Sequence, residues 1–371
     1  MWLYFFAYWG WDMMRLPALV DPHVHVREPG GIHKEDWDSA TTAALAGGFS
    51  TILAMPNTQP PVTDNETLKM ALGAAKRKAH CDYGQFLGAG AGNLEVVRHL
   101  ATRTVGLKMY LDQTYGPLRL DDMTLWMEHF KQWPRRYPIV AHAEGRTMAA
   151  VMLLAAIYDR PVHIAHVARR EEILLIQAAK RKGIPVTCEV TPHHLFLTEQ
   201  DVPLIGSGRS EVRPRLATAV DQQALWDHLA VIDCFATDHA PHTLDEKDSE
   251  NPPPGFPGLE TALPLFLTAI YEGRLTMQDL IHKMSSRPRQ IFNIPEQPES
   301  WVEIETDIDW EISAARSFTR CGWTPFEGRK VRGRVQRVVL RGMEAFKDGN
   351  VMAQAGFGQN IRHVNRKDRV I

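Results

Sequence analysis

Residues 19–26 read LVDPHVHV, and the chain's fold can be worked out from this stretch outward. Side chains of a β-strand alternate between its two faces, so His23 and His25 share one face. The valines around them favour a strand. Two imidazoles on one face are either a pair of surface histidines or the first ligands of a metal ion, since imidazole suits zinc, iron or nickel. The second interpretation requires further ligands elsewhere in the chain.

Similar short apolar runs recur along the chain, and helix-like patterns separate them. Segment 35–48 is an example of a predicted helix, with small residues and a closing pair of glycines. Segment 169–183 is another, with apolar residues near helical spacing and basic residues in its last turn. Eight alternations of strand and helix predict an α/β fold with a closed (β/α)8 TIM barrel. The apolar runs are 19–26, 50–58, 85–91, 105–111, 138–144, 162–167, 186–195 and 232–240.

The pattern changes after about residue 275. Segment 279–294 predicts a helix that breaks at Pro288. From about residue 300 β-like runs predominate, and the Asp348-Gly349 pair between two of them indicates a hairpin. We predict that residues 15–295 form the barrel, that 296–360 form a small β-rich appendage which residues 1–14 could complete, and that 361–371 form a tail.

Composition excludes several classes of protein. The chain has 371 residues, of which 44% are hydrophobic and 23% charged, as in an ordinary globular protein. A net charge of -2 offers no basic field for nucleic acid. Four cysteines form no C-x-x-C pair, which indicates a reducing compartment. The aromatic segment 1–14 lacks the features of a signal peptide and is too short to span a bilayer. We therefore expect a cytoplasmic protein with no nucleic-acid or membrane partner.

Polar residues lie in or just after the predicted strands, mostly towards their carboxyl ends, where barrels of this class carry the active site. His142, His166 and Asp238 could join the first two histidines as metal ligands. Lys108 could join them as a carbamate, because an ammonium repels a cation whereas a carbamate is anionic and can bridge two metals. His163 is an odd number of residues from His166, so we expect it to face the helices. Each residue alone has an ordinary structural explanation, and only their joint arrangement is specific.

The sequence resembles the dihydroorotases of the cyclic amidohydrolase superfamily, and is most similar to the dihydroorotase domain of the animal trifunctional pyrimidine-synthesis protein. The resemblance covers residues from about 15 to about 360. The stretches that carry it are VDPHVHVREPGG, AMPNTQPP, GLKMYL, IVAHAE, CEVTPHHLFL, EVRPRL, DCFATDHAPHTLDEK and PPPGFPGLET. The resemblance implies zinc-dependent, reversible cyclisation of N-carbamoyl-L-aspartate to L-dihydroorotate in pyrimidine biosynthesis. It also implies a homodimer, with carbamoyl-phosphate synthetase and aspartate transcarbamoylase domains as candidate partners.

The same resemblance implies two zinc ions per chain, bridged by a carboxylated Lys108. One ion would be held by the H-x-H pair with Asp238, and the other by the two histidines further along the chain. The implied metal ligands are His23, His25, Lys108, His142, His166 and Asp238. In the animal branch a cysteine precedes the last of these histidines and accompanies an extra zinc beside a glutamate. Here Ala165 takes its place although Glu189 remains, so a third zinc is in doubt.

The implied substrate site lies beside these ligands. The residues expected to bind substrate are Arg27, Asn57, Arg213, His242, Pro254 and Gly255, the last two through their backbone. Thr114 matches a loop that closes over the substrate. Asp238 would carry the proton between water and the departing nitrogen, and His242 is the next candidate for that task.

Three alternatives stay open. Dihydropyrimidinases and allantoinases share the barrel and the metal pair, but their substrates lack this carboxylate, so Arg27 with Asn57 favours a dihydroorotase. A non-catalytic scaffold of the same fold is an alternative of a different class, although such proteins usually lack ligands and here all six positions are filled. A structural zinc module is the weakest, because such sites prefer cysteine-rich shells.

Overall fold

The computed structural model describes residues 13–362, where short strands alternate with helices. The strands β1 to β14 are Met13–Pro17, Leu19–Val24, Phe49–Ala54, Asp82–Gln85, Leu87–Gly88, Leu107–Tyr110, Ile139–His142, Val162–Ile164, Val186–Val190, Cys234–Phe235, Trp301–Glu311, Lys330–Leu340, Met343–Lys347 and Asn350–Val351. The helices α1 to α13 are Trp37–Ala46, Asn65–Lys78, Leu94–Leu100, Met123–Gln132, Gly145–Tyr158, Arg170–Arg181, Pro192–Phe196, Val202–Ile205, Ala219–Asp227, Leu244–Lys247, Leu259–Tyr271, Met277–Ile281 and Arg287–Phe292.

Strands β2 to β10 form two parallel sheets, one in the order β2-β3-β4 and one in the order β10-β9-β8-β7-β6-β5. Almost every residue of these strands is buried, as expected where helices cover one face of a parallel sheet and apolar side chains fill the other. One apolar cluster includes Val20, Leu53, Phe86, Val140 and Phe292, and a larger cluster lies between strands and helices. The predicted α/β fold is confirmed.

The two parallel sheets are linked at both edges. At one edge β4 and β5 flank Phe86, whose N–H donates to the carbonyl of Ala54 at 3.0 Å. At the other edge Val24 pairs in parallel with His239, and the N–H of His25 donates to the carbonyl of His239 at 2.8 Å. The carboxyl ends of the parallel strands therefore gather around one centre.

Two of the predicted helices form where expected. The predicted segments 35–48 and 169–183 are helices α1 and α6. At the start of α1 the Asp36 carboxylate accepts from Ser39, and the serine hydroxyl accepts from the backbone of Asp36, which is a capping box. After α1 the chain turns at Gly48, whose φ of 86° suits glycine.

The predicted helix break at Pro288 is wrong. Helix α12 continues through a π-helical turn, His282–Ser286, into α13, and Pro288 lies in the first turn of α13. Proline is tolerated there because the N–H groups of a first turn need no partner within the helix. A regular helix through this segment would lose a hydrogen bond at Pro288, which is why the sequence predicts a break there.

Strands β1, β11, β12, β13 and β14 form a third, antiparallel sheet. The predicted hairpin is confirmed, since β13 and β14 pair around Asp348 and Gly349, which both have positive φ. The sheet packs on α11, where the N–H of Arg332 donates to the Thr268 hydroxyl at 2.8 Å. Of the predicted tail, Ile361 is buried and donates its N–H to the carbonyl of Tyr83. Residues 1–12 and 363–371, including most of the aromatic N-terminus, lie outside the described residues.

None of the helices in the described part of the chain is long and apolar enough to cross a membrane. The four cysteines are buried thiols without a disulfide partner among residues 13–362.

Candidate active site

The six residues predicted as metal ligands line one pocket at the carboxyl ends of the parallel strands. His23 lies in β2, Lys108 in β6, and His142 ends β7. His166 and Asp238 come shortly after β8 and β10. Residues from five strands thus meet although they are far apart in the sequence.

The side chains of the H-x-H pair converge on one carboxylate oxygen. Nε2 of His23 lies 3.2 Å from Oδ1 of Asp238, and Nε2 of His25 lies 3.1 Å from the same oxygen. Nδ1 of His142 lies 2.8 Å from Nε2 of His166. Ligand atoms of His23, His166 and Asp238 all lie within 4.8 Å of one another. Such a group of buried nitrogen and oxygen donors is suited to a metal ion.

The outer nitrogens of the first two histidines fix which ring nitrogen faces the pocket. Nδ1 of His25 lies 2.7 Å from the side-chain oxygen of Asn57, and Nδ1 of His23 contacts the carboxylate of Glu189. Both partners accept hydrogen bonds, so Nδ1 carries the proton and Nε2 presents a lone pair. The two nitrogen lone pairs and the negatively charged Asp238 oxygen repel one another unless a cation lies between them. These residues therefore fit a divalent metal.

Several polar atoms of this centre are buried without a hydrogen-bond partner. They include Nζ of Lys108, Nε2 of His142 and Nδ1 of His166. Buried polar atoms are almost always paired in folded proteins. Three unpaired nitrogens facing one centre indicate that a further group normally lies among them.

Burial sets the protonation of these groups. It lowers the pKa of His25 to about 4 and that of His142 to about 3, so both rings are neutral and able to bind metal at pH 7. Burial also lowers the pKa of Lys108 to about 8. Burial thus favours the neutral amine, which is the form that reacts with carbon dioxide.

Three residues of the site have strained backbone conformations. Arg27, His166 and Asp238 have φ values of 67°, 35° and 45°, in the left-handed region that side chains other than glycine rarely adopt. Such strain persists only where the surroundings hold it, and it concentrates at functional sites. It also turns His166 out of the regular alternation of strand β8.

The prediction that His163 faces the helices is wrong. Its ring packs against Phe292, and its Nε2 lies 3.1 Å from Glu189 Oε2. Glu189 therefore connects His163 to His23 and fixes the orientation of the His23 ring. The alternation argument failed because β8 ends at Ile164, before the backbone turns at His166.

The residues predicted to contact substrate form the wall of the same pocket. The lining includes Arg27, Asn57, Thr114, Arg213, Pro254 and Gly255. Arg27 donates to the carbonyl of Pro241 at 3.1 Å, and Arg213 is paired with Glu211 at 2.7 Å. His242 lies behind this wall, where its Nε2 is 3.1 Å from the carbonyl of Pro254.

Sequence reasoning missed two tyrosines and a lysine of this site. Tyr110 and Tyr115 line the pocket, and Lys34 reaches the hydroxyl of Tyr115 at 3.2 Å. Tyr110 could have been found, because it lies two residues after Lys108 on the same strand face. Nothing local in the sequence marks Lys34, since its contacts come from segments distant in the chain.

Comparison with known proteins agrees with this geometry. Residues 13–87 match the family model described as dihydro-orotase-like. The dihydroorotase of Pyrococcus abyssi is 37% identical over 91% of this chain and 85% of its own length. The chain belongs to the dihydroorotase family. The multifunctional protein CAD of Squalus acanthias is 54% identical over 94% of this chain, which spans 16% of the length of that relative.

Solved structures place this dihydroorotase-family chain among related folds. The L-hydantoinase (dihydropyrimidinase) of Arthrobacter aurescens superposes with a TM-score of 0.86, at 26% identity over 93% of this chain and 88% of that one. The inactive dihydroorotase-like domain of the CAD-like multifunctional protein of Chaetomium thermophilum superposes with a TM-score of 0.80, at 30% identity over 94% and 99%. The fold is therefore shared by proteins with differing activities, and the site has to decide the function.

Proposed function

We propose that this chain is a dihydroorotase, which reversibly closes N-carbamoyl-L-aspartate to L-dihydroorotate in pyrimidine biosynthesis. The observation that carries the proposal is the convergence of His23, His25 and Asp238 beside a wall formed by Arg27 and Asn57. The first three suit a metal and the last two suit a carboxylate. One pocket thus combines the group that activates a carbonyl with groups that select an acidic substrate.

The proposed cofactor is a pair of zinc ions. His23 and His25 with Asp238 would hold one ion, His142 and His166 the other, and a carboxylated Lys108 would lie between them. When bound, such ions supply Lewis acidity that activates water and polarises a carbonyl. Supporting this assignment are the neutral imidazoles and the unpaired Lys108 amine described above. A third ion beside Glu189 lacks support, because Ala165 offers no ligand and Glu189 is occupied by two histidines.

The chain's own residues would bind the substrate and move its proton. Arg27 presents a fork of N–H donors that matches a carboxylate. Asn57, Arg213, Pro254 and Gly255 line the same pocket. When the ring opens, Asp238 would carry a proton from the attacking water to the departing nitrogen. When the ring closes, it would carry the proton in the opposite direction. Thr114, on the loop after β6, would help to exclude water.

The architecture and the context of the chain complete the proposal. The two edge links between the parallel sheets support one closed (β/α)8 barrel, with the antiparallel sheet as an appendage. Because the chain spans 16% of the Squalus relative, partner domains such as carbamoyl-phosphate synthetase and aspartate transcarbamoylase fit the proposal. A homodimer and a cytoplasmic location are part of the same proposal.

Two alternatives make different demands on the pocket. A dihydropyrimidinase acts on neutral rings and has no use for a buried arginine at this wall. A non-catalytic scaffold has no need to keep six residues of metal-binding type in one pocket. The arrangement of Arg27 and the six side chains favours the dihydroorotase over both.

The decisive experiment measures ring closure and metal content on the same purified protein. We expect closure of carbamoyl aspartate, opening of dihydroorotate and little opening of dihydrouracil. Arg27→Ala should lower kcat/KM for dihydroorotate by roughly 30-fold to several thousand-fold, the cost of removing one half of a buried charge pair. Arg98→Ala, on the exposed surface of α3, is the control and should leave it unchanged. Faster opening of dihydrouracil than of dihydroorotate would overturn the assignment.

A further inference from the structure

A buried lysine outside the metal centre connects three loops around the pocket. Lys34 lies between β2 and α1 and is 5% exposed. Its Nζ lies 2.8 Å from Glu246, 3.1 Å from Nδ1 of His242 and 3.2 Å from the Tyr115 hydroxyl. An ammonium has three N–H donors and no acceptor. Three acceptors for three donors satisfy it completely.

This geometry decides which nitrogen of His242 carries the proton. Since Lys34 can only donate, Nδ1 of His242 has to accept and is unprotonated. Glu246 also approaches Nδ1, at 3.6 Å, but that distance is too long for a hydrogen bond, whereas the distance from Lys34 is not. The proton of a neutral ring is then on Nε2, which lies 3.1 Å from the carbonyl of Pro254.

The other neighbour of Nε2 competes with this assignment but does not outweigh it. A terminal N–H₂ group of Arg27 lies 3.0 Å from Nε2. With the proton on Nε2, both groups are donors, so no hydrogen bond joins them. The Nε2–H tautomer nevertheless satisfies two neighbours, Lys34 and the Pro254 carbonyl, whereas the Nδ1–H tautomer would satisfy Arg27 alone.

We propose that Lys34 is a positioning residue, which holds His242 as the neutral Nε2–H tautomer so that the ring donates to the Pro254 carbonyl and fixes the backbone of the pocket wall. This inference rests on the proposed function only for the identity of the ligand. It assigns His242 the role of a fixed donor, and removes it as a candidate for carrying the reaction's proton.

The charges around His242 act in the same direction. Burial, then Arg27, Lys34 and Lys247 together lower the pKa of His242 to about 2, although Glu246 opposes them. The phenol of Tyr115 packs edge-on against the ring at 5.0 Å. His242 is also held through its backbone, since the indole N–H of Trp323 donates to its carbonyl at 2.7 Å.

The test is nitrogen NMR of protein with ¹⁵N-labelled histidine, with the His242 signals identified by their loss in His242→Gln. In the parent we expect a protonated Nε2, an unprotonated Nδ1, and no titration between pH 5.5 and 8. Lys34→Met should shift part of the population to the Nδ1–H tautomer, because the donor that faces Nδ1 is removed. Glu246→Gln should keep the parent tautomer and leave His242 still harder to protonate.

The two variants separate the proposal from its rival, in which Nδ1–H donates to Glu246. In that case the parent would carry its proton on Nδ1, and Glu246→Gln would change the tautomer. Either result would overturn the proposal, as would a Lys34→Met spectrum identical to that of the parent. Lys69→Met, an exposed lysine of α2, is the control and should change nothing at His242.

Kinetics give a second readout. Lys34→Met should raise KM for dihydroorotate about tenfold, ~1.4 kcal/mol, with kcat within about threefold of the parent, and Lys34→Arg should recover part of the loss. A fall confined to kcat would contradict a binding role. If the parent lacked dihydroorotase activity but showed the expected tautomer, the proposed function would fail and the role of Lys34 would stand.

Discussion

The Lys108 side chain is the clearest single-residue sign of a missing partner. It is fully buried, its amine has no hydrogen-bond partner, and its Nζ lies 5.2 Å from the centre of the Tyr110 ring. A buried, unpaired ammonium is costly, and here even the weakly basic amine is unsatisfied. Conversion to a carbamate would replace the amine with two anionic oxygens that metals and the Tyr110 hydroxyl can bind.

We therefore predict that Lys108→Ala lowers kcat by about a thousandfold or more, ~4 kcal/mol in the barrier. Short carboxylic acids should restore part of the activity, because a small carboxylate can occupy the space that the carbamate leaves. Steady-state assays with and without acetate or propionate measure this, and Lys69→Ala serves as a surface control. An unmodified Lys108 amine in a metal-loaded crystal structure would refute the carbamate.

At this scale the sequence predicted most of the site. The H-x-H spacing places His23 and His25 on one face, and both do converge on Asp238. His163 was misplaced because its position depends on where β8 ends and on the positive φ of His166. Neither feature has a local signal in the sequence.

At the scale of elements, α13 closes the inner core of the parallel sheets. Phe292, the last residue of this helix, is fully buried and packs edge-on against Phe86, with ring centres 5.7 Å apart. We predict that Phe292→Ala lowers the free energy of unfolding by about 3–5 kcal/mol, through lost burial and the cavity left behind.

Urea unfolding followed by circular dichroism measures the effect of Phe292→Ala. Met70→Ala is the control, since Met70 is half exposed on α2 and should change stability by less than about 0.5 kcal/mol. A similarly small change in Phe292→Ala would mean that the helix end is not part of the core.

Helix α11 carries a half-buried acid that makes stability depend on pH. Glu260 accepts from the N–H groups of Phe318 and Thr319, and burial raises its pKa to about 7. The unfolded chain has the ordinary value near 4.5, so the folded state binds this proton more tightly. The stabilisation is complete below about pH 4.5 and is lost as the pH rises through about 7.

Between pH 5.5 and 8 the melting temperature of the parent should therefore fall more than that of Glu260→Gln, which is neutral throughout. We expect the two falls to differ by about 1–2 °C, equivalent to ~1 kcal/mol in a chain of this size. Glu95→Gln, at an exposed glutamate of α3, should behave as the parent does. Equal falls in parent and Glu260→Gln would show that Glu260 is ionised at both pH values.

The order of elements was predictable because apolar periodicity is local, whereas the packing of irregular segments was not. The segment between β11 and β12 illustrates the difference. Its Thr319 hydroxyl contacts the carboxylate of Glu35, and its Arg320 donates to the carbonyl of Ile32. These partners are separated from the segment by more than 280 residues, so no pattern within the segment indicates them. Lys34 escaped prediction for the same reason.

At the scale of the whole molecule, the proposed metal centre draws its candidate ligands from both parallel sheets. His23 and His25 belong to the three-stranded sheet, whereas Lys108, His142 and Asp238 belong to the six-stranded sheet or follow its strands. At the edge nearest to the ligands, pairing of Val24 and His239 joins the sheets. Metal bound among these side chains would cross-link the two sheets, so metal content and stability should be coupled.

We predict about two zinc ions per chain in freshly purified protein, and a folded but less stable protein after chelation. Fold should persist because the apolar clusters do not involve the ligands, so far-UV circular dichroism should change little. The melting temperature should fall by about 5 °C, since a ligand at a thousand times its Kd contributes ~4 kcal/mol. Activity should vanish on chelation and return with added zinc.

His142→Asn should lower both metal content and melting temperature, whereas His99→Asn, on the exposed face of α3, should alter neither. Unfolding on chelation would mean that the metal organises the fold itself, and a zinc content near zero with full activity would remove the metal from the mechanism.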